Sequence, residues 1–336
     1  PMTRAAIAKK TGISRPTISE SAQRLEKSDL VVETSRKTRN KQGRAGVIYE
    51  INAAKGLTLA IAIDVKQIQL RLTDLSLKVI RDQCFYIDPG WQQAELAEAI
   101  LRFIRLAVQD QSSPLLAIGV SVAVPVNSQT GEILALPYSK FTVIHGINFK
   151  TLLEEHFACP VALDNDVNWA TLAEKSLGIA KNVSDFVFIY FGEGIGAGIY
   201  LDNHLIRGST GISGEIGHIM VNNNENLQDF VSNHHLQQAL EDGVDLTGHP
   251  AISQIGNTLA SIAAVINPKM FVLGGPMTKY PQFIPAIIKQ IQPQLFNEVS
   301  FIPSNAPNYA PLNGVQAGTY ELALSSFGLP SPPEAE

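Results

Sequence analysis

Apolar residues recur along this chain in two periods, and the change from one to the other marks its parts. Between Thr3 and Lys10, Ala5, Ile7 and Ala8 give a short helix one small apolar face, and Thr11-Gly12 ends it. Ile13 plugs the turn. Ser14 then caps a second helix with Arg15 and Pro16 in its first turn, where a proline has no needed donor to lose. Ile18, Ala22 and Leu25 follow at helical spacing and face inward, while Arg15, Thr17, Ser21 and Arg24 fall on other faces. Leu30-Val31-Val32 and Val47 to Ile51 read as paired strands around a polar stretch, Arg36 to Gly46. Two helices about a glycine-containing turn, followed by a hairpin with a basic tip, predict a winged helix-turn-helix over residues 1–54. The pattern opens in mid-helix at Pro1, which predicts further residues upstream, including a first helix of this module.

From residue 55 the strand period takes over. Leu57 to Ile63 is an apolar run ending at Asp64, Gln69 to Leu75 alternates, and Val79 to Tyr86 is a third strand. A helix over Ala94 to Val108, a buried strand over Ala117 to Val124 and a turn over Asn127 to Gly131 follow. A helix over Phe149 to His156 leads to a short strand, Val161-Ala162-Leu163, which runs into Asp164-Asn165-Asp166 and a helix from Asn168 to Leu177. The second half repeats this plan: a strand over Phe186 to Tyr190, a hairpin turn at Asp202-Asn203, helices over Ser253 to Ile266 and Phe283 to Ile291, and a strand over Met270 to Leu273. Gly318 to Ser325 is the last helix. Hairpin-linked strands followed by strand–helix alternation, occurring twice, predict two α/β lobes with a cleft between them. The expected boundaries are 55–165 and 166–327, with a proline-rich flexible tail over 328–336.

Composition adds three constraints. At 336 residues, 45% hydrophobic and 17% charged, the chain is globular and long enough for two or three domains. The net charge of −5 conceals a split: residues 1–50 hold five Lys and six Arg against one Asp and four Glu, and the remainder is acidic. A basic module on an acidic body predicts nucleic-acid binding by the first part alone. No apolar run suits a membrane span and no leader pattern opens the chain, which predicts a cytoplasmic protein. Cys84 and Cys159 make no metal-ligand spacing and are expected to be buried free thiols.

The candidate chemistry lies between Tyr190 and His218. Gly192, Gly194, Gly196 and Gly198 stand at every second position and bare one strand face, either for a ligand or for close packing within the fold. Gly214-Glu215-Ile216-Gly217-His218 then holds a carboxylate and an imidazole three residues apart, suited to the hydroxyls of a small polar ligand. Asp166 and its neighbours Asp164 and Asn165 supply both a helix cap and further ligand acceptors. For DNA the candidates are Ser14, Arg15, Thr17 and Ser21 on the second helix, and Arg36, Arg39, Lys41 and Arg44 in the wing, with Arg44 as a minor-groove finger.

On these residues the chain resembles the ROK family (repressors, open reading frames, kinases), of the NagC/XylR regulator type, over nearly its whole length. The carrying motifs are Leu163-Asp164-Asn165-Asp166, the Gly192 to Gly198 repeat and Gly214 to His218. The resemblance implies a two-lobed actin-like, sugar-kinase (ribonuclease H-like) fold. It also implies sugar contacts from Asn165, Asp166, Glu215 and His218, with Asp166 matching the base of the family's kinases. Three departures qualify it. The family's D-x-G-G-T phosphate turn reads Asp64-Val65-Lys66-Gln67-Ile68, without glycine, and Glu193 in the glycine repeat would repel phosphate. The cysteines that bind zinc after the family's Gly-His are absent from Ile219 to Gln228, so no metal or cofactor is expected. Gln228 takes the place of a sugar-binding glutamate, and Val126, in place of a glycine, is expected to narrow the sugar site. The resulting expectation is a non-enzymatic repressor of carbohydrate genes that binds a palindromic operator as a homodimer or dimer of dimers and responds to a sugar or sugar phosphate. An ATP-dependent sugar kinase with an added DNA module, and a regulator controlled by a protein partner, are the alternatives.

Overall fold

A computed structural model describes residues 1–34, 47–134, 141–305 and 310–328. The basic module begins with β1 (Met2–Thr3), α1 (Arg4–Thr11) and α2 (Arg15–Lys27), and closes with β2 (Val31–Thr34) and β3 (Ile48–Ile51). Thr3 Oγ1 caps α1 by accepting the Ala6 N–H, and Gly12, at φ +71°, ends it. Ser14 Oγ accepts the Thr17 N–H at the start of α2, whose Ile18 and Ala22 are buried. The sheet order β1-β3-β2 includes a strand the pattern did not reveal: two residues, Met2 and Thr3, pair with Tyr49 and Ile48. A two-residue strand is too short to show a period.

The body begins with β4 (Leu57–Ile63), β5 (Gln67–Asp74), β6 (Val79–Tyr86), α3 (Gln93–Val108), β7 (Leu115–Val122), α4 (Phe149–Phe157) and β8 (Val161–Asn165). These strands form one sheet in the order β6-β5-β4-β7-β8, antiparallel through β4 and parallel beyond it. After α5 (Asp166–Ser176) come β9 (Phe186–Phe191), β10 (Ile195–Leu201), β11 (His204–Ile206), α6 (Leu227–Asn233), α7 (Leu236–Glu241) and α8 (Pro250–Ile266). Strand β12 (Met270–Gly274), α9 (Phe283–Ile291), β13 (Ser300–Pro303) and α10 (Ala310–Ser325) complete the chain. The second sheet runs β11-β10-β9-β12-β13 with the same succession of pairings. Each sheet thus places its third, second, first, fourth and fifth strands side by side. Hairpins supply the antiparallel half and helical crossovers the parallel half, as the connection lengths require. The parallel strands β7 and β12 are buried on both faces, which is why they read as unbroken apolar runs.

The structure corrects four details. Helix α5 starts at Asp166, and its cap is Asn165, whose Oδ1 accepts the Asn168 N–H at 3.0 Å. Helix α10 begins at Ala310, two turns before Gly318. It packs on β4 and β7 of the first sheet and along α5, although its position in the chain places it with the second lobe. Cys159 is buried, its thiol pushed up to about 11 by burial and then by Glu154, but Cys84 is exposed on the edge strand β6.

Candidate functional site

Two strand ends and one loop converge between the sheets around a cleft of about 670 Å³. Residues Asn165 and Asp166 enter it from the junction of β8 and α5, because the helix cap turns the chain there. Glu215 and His218 line it from the loop after β11. All four expected sugar residues therefore meet in one cavity, although 50 positions separate the two pairs.

The chemistry of the cleft is acidic and partly desolvated. Burial pushes the Asp166 carboxyl up to about 6; its bond to the Val167 N–H (2.9 Å) opposes this, and Asp64 adds to it. Glu215 is raised to about 7, first by burial and then by Asp166. Its Oε2 stands 4.0 Å from His218 Nε2. Tyr190, on β9, is raised to about 12 by burial, with Asp166, Glu193 and Asp64 contributing. Acceptors of this kind, neutral or charged according to pH, suit hydroxyl donors better than they suit phosphate.

Buried Asp164, one residue before the cap, joins the two sides. Its Oδ1 accepts from the Asn165 N–H (2.9 Å) and from Asn168 Nδ2 (2.7 Å), and its Oδ2 accepts from Arg207 Nε at 2.6 Å. Arg207 begins the loop that carries Glu215 and His218. Sequence reading missed Arg207 and Tyr190. Tyr190 lies inside an apolar strand and reads as core, and Arg207 reaches a partner 43 positions away that no spacing rule connects.

The expected departures have definite geometry. At the β4–β5 turn, Asp64 Oδ1 accepts the N–H groups of Lys66 (2.7 Å) and Gln67 (2.8 Å), and Gln67 O accepts the Asp64 N–H (3.0 Å). The amides that would cradle a phosphate are engaged within the turn itself. Gln228 lines the cleft, but its Oε1 accepts the Ile195 N–H at 3.2 Å. Val126 does not narrow the site: its side chain is buried in the first lobe's core, and Pro125 lines the cleft instead. Where cysteines would bind zinc, asparagines close the loop. Asn222 Oδ1 accepts from the N–H groups of Asn224 and Glu225, and Asn226 caps α6. Among the described residues no His, Cys, Asp and Glu cluster suits a metal, and no helix is long and apolar enough to cross a membrane.

Two positions of the glycine repeat let a helix pack against its strand. A Cβ on Gly198 would lie 1.7 Å from Thr171 Oγ1, and one on Gly196 3.1 Å from Val167, so bare backbone lets α5 seat on β10. Gly194 faces the cleft. In the basic module, Arg15 and Thr17 are exposed at the start of α2, Ser21 is half-buried, and Ser14 is engaged as the cap. Arg36, Arg39, Lys41 and Arg44 lie outside the described residues.

Comparison with known proteins places this geometry. The profile of the ROK family matches residues 58–230. The chain is 27% identical over 361 aligned positions to the xylose repressor of Bacillus spizizenii, covering 96% of this chain and 92% of that protein. Among solved structures it is similar to a ROK family transcriptional regulator, a homolog of the E. coli MLC protein, with a TM-score of 0.75 and 21% identity over 97% of this chain and 94% of that one. The ROK hexokinase of Thermus thermophilus also superposes, at a TM-score of 0.66 and 21% identity over 80% of this chain and 99% of that one.

Proposed function

This chain belongs to the ROK family, and we propose that within it the protein is a transcriptional repressor of carbohydrate genes. A sugar held in the cleft between the lobes controls its binding to DNA. The observation that carries this reading is the joining of two parts in one chain: a basic helix-turn-helix module, and a two-sheet body whose cleft gathers Asn165, Asp166, Glu215 and His218. Similarity along almost the full length of a protein named as a xylose repressor supports it and makes D-xylose the first sugar to test. The closed turn at Asp64 argues against phosphoryl transfer, which depends on positioning and neutralising the phosphates.

In this reading α2 enters the major groove with Arg15 and Thr17 leading, and the wing residues Arg36, Arg39, Lys41 and Arg44 hold the backbone or the minor groove. A homodimer would present two such modules to a palindromic operator in the cytoplasm. Sugar binding then lowers DNA affinity only to the extent that the DNA-bound form binds sugar less well. Selection of genomic fragments by the protein, with and without D-xylose and a panel of hexoses, tests the whole reading. Enrichment of a palindromic site that one sugar abolishes supports it. Absence of enrichment at low salt, together with sugar-dependent ATP consumption that Asp166→Asn removes, would establish the kinase instead.

A further inference from the structure

The helix-turn-helix does not hang from the body on a free linker. Leu30, at the end of α2's exit turn, is buried in one apolar cluster with Leu75, Ala117 and Ala323. Leu25 of α2 packs against the same cluster, as do Tyr320, Leu322 and Phe327 from α10 and the turn after it. The Leu25 carbonyl accepts the Leu30 N–H at 3.0 Å, and the Leu30 carbonyl accepts the Asn52 N–H at 2.9 Å. The far end of α2 and its exit turn are therefore seated in one apolar cluster with α10 and the first sheet.

At its other end α10 is interlocked with α5. A Cβ at Gly314 would lie 1.8 Å from the carbonyl oxygen of Trp169, and one at Gly318 would lie 2.4 Å from the Trp169 ring. Trp169 is buried, and its indole N–H donates to the Val120 carbonyl of β7 at 2.9 Å. It sits one helical turn beyond Asn165 and Asp166, the residues that open α5 into the cleft. Backbone packed this closely cannot deform gradually; it shifts as a unit or not at all.

We propose that Trp169 is the positioning residue through which occupancy of the cleft reaches the DNA-binding module, by setting the placement of α10 against α5 and so of α2 against the body. The proposal rests on the sugar-controlled repressor reading. The links are the shared helix from Asp166 to Trp169 along α5, the close approach of Trp169 to Gly314 and Gly318, and the one apolar cluster that holds Ala323 and Phe327 together with Leu25 and Leu30. A sugar that shifts the start of α5 changes the seat of the indole, and the rigid α10 carries that change to the far end of α2.

The chain has two tryptophans, Trp91 and Trp169. In a Trp91→Phe protein the emission therefore reports Trp169 alone. Adding the DNA fragment that the protein selects should shift that emission, and D-xylose, or whichever sugar releases the fragment, should reverse the shift. Emission that follows sugar but ignores DNA would overturn the relay. A second arm measures fragment affinity with and without the sugar, where coupling of roughly 5- to 150-fold is typical. Trp169→Phe keeps ring bulk and drops the bond to Val120; Leu30→Ser breaks the far end without touching the cleft. Both are expected to retain sugar binding while coupling falls towards one. Wild-type coupling in both variants would also overturn the relay. A wild-type protein that selects DNA but releases it with no sugar would remove the sugar reading itself, and the relay with it.

Discussion

Asp166 and Glu215 are carboxylates placed where ionisation is opposed by burial first, and then by a neighbouring carboxylate, Asp64 for Asp166 and Asp166 for Glu215. Their native pKa values lie above those of the unfolded chain, so between about pH 4 and pH 7 the native state holds more protons than the unfolded one. The contribution of these groups to stability is greatest below the unfolded value and is lost as pH rises through 6 and 7. Asp166→Asn and Glu215→Gln are therefore expected to stabilise the protein at pH 8 by roughly 1–3 kcal/mol each, and to have no effect near pH 4. Thermal melts at the two pH values check this; equal melting temperatures at pH 8 would sink the account. Sugar affinity should fall in both variants. Arg207 shows the opposite case. Arg207→Met leaves the buried Asp164 carboxylate with only its two neutral donors, and a loss of about 1–3 kcal/mol is expected in urea unfolding. Arg207→Lys should recover part of it, because Lys keeps the charge but not the directed Nε donor.

At the scale of elements, α5 is the piece on which the body is built. Its first turn supplies the cleft, its Val167 and Thr171 face lies on β10, and its Trp169 face lies on α10. Gly198→Ala would drive a methyl into Thr171 Oγ1, which is buried and bonded to the Val167 carbonyl at 2.7 Å. A cost of roughly 1–3 kcal/mol is expected, as for overpacking elsewhere. Sugar affinity should fall with it, because the displaced helix carries Asn165 and Asp166; unchanged affinity in a folded variant would separate the glycine repeat from the site. Helices and strands of this size were legible in the sequence because each keeps one period over several residues, as Leu96, Ile100 and Ile104 do along α3. Strands β1 and β13 and the short helices α6 and α7 were not legible. They run two to seven residues, and their stability comes from what they pair with or pack against.

For the whole molecule, the division of charge between a basic module and an acidic body has a measurable consequence. Binding of the selected DNA fragment should weaken steeply with salt, since each neutralised phosphate releases counterions. Arg15→Ala is expected to lower affinity and to reduce the slope of log K against log salt by about one unit. An unchanged slope would remove Arg15 from the interface. The acidic body, in contrast, carries charge of the same sign as the DNA backbone and adds nothing favourable to this electrostatic attraction.

The sequence by itself determined the local structure and the list of parts: a helix-turn-helix in a basic module, two similar successions of strands, and polar residues at two turns. Period, caps and charge are properties of neighbouring residues, so they can be read along the chain. Tertiary structure alone decided which distant residues meet. It brought Glu215 and His218 to Asn165 and Asp166, paired Arg207 with Asp164, and set α10 against the first sheet with Leu30 anchored at its end. Those meetings follow from how whole elements bury their apolar faces, and burial depends on the summed surface of many residues rather than on any spacing within one segment.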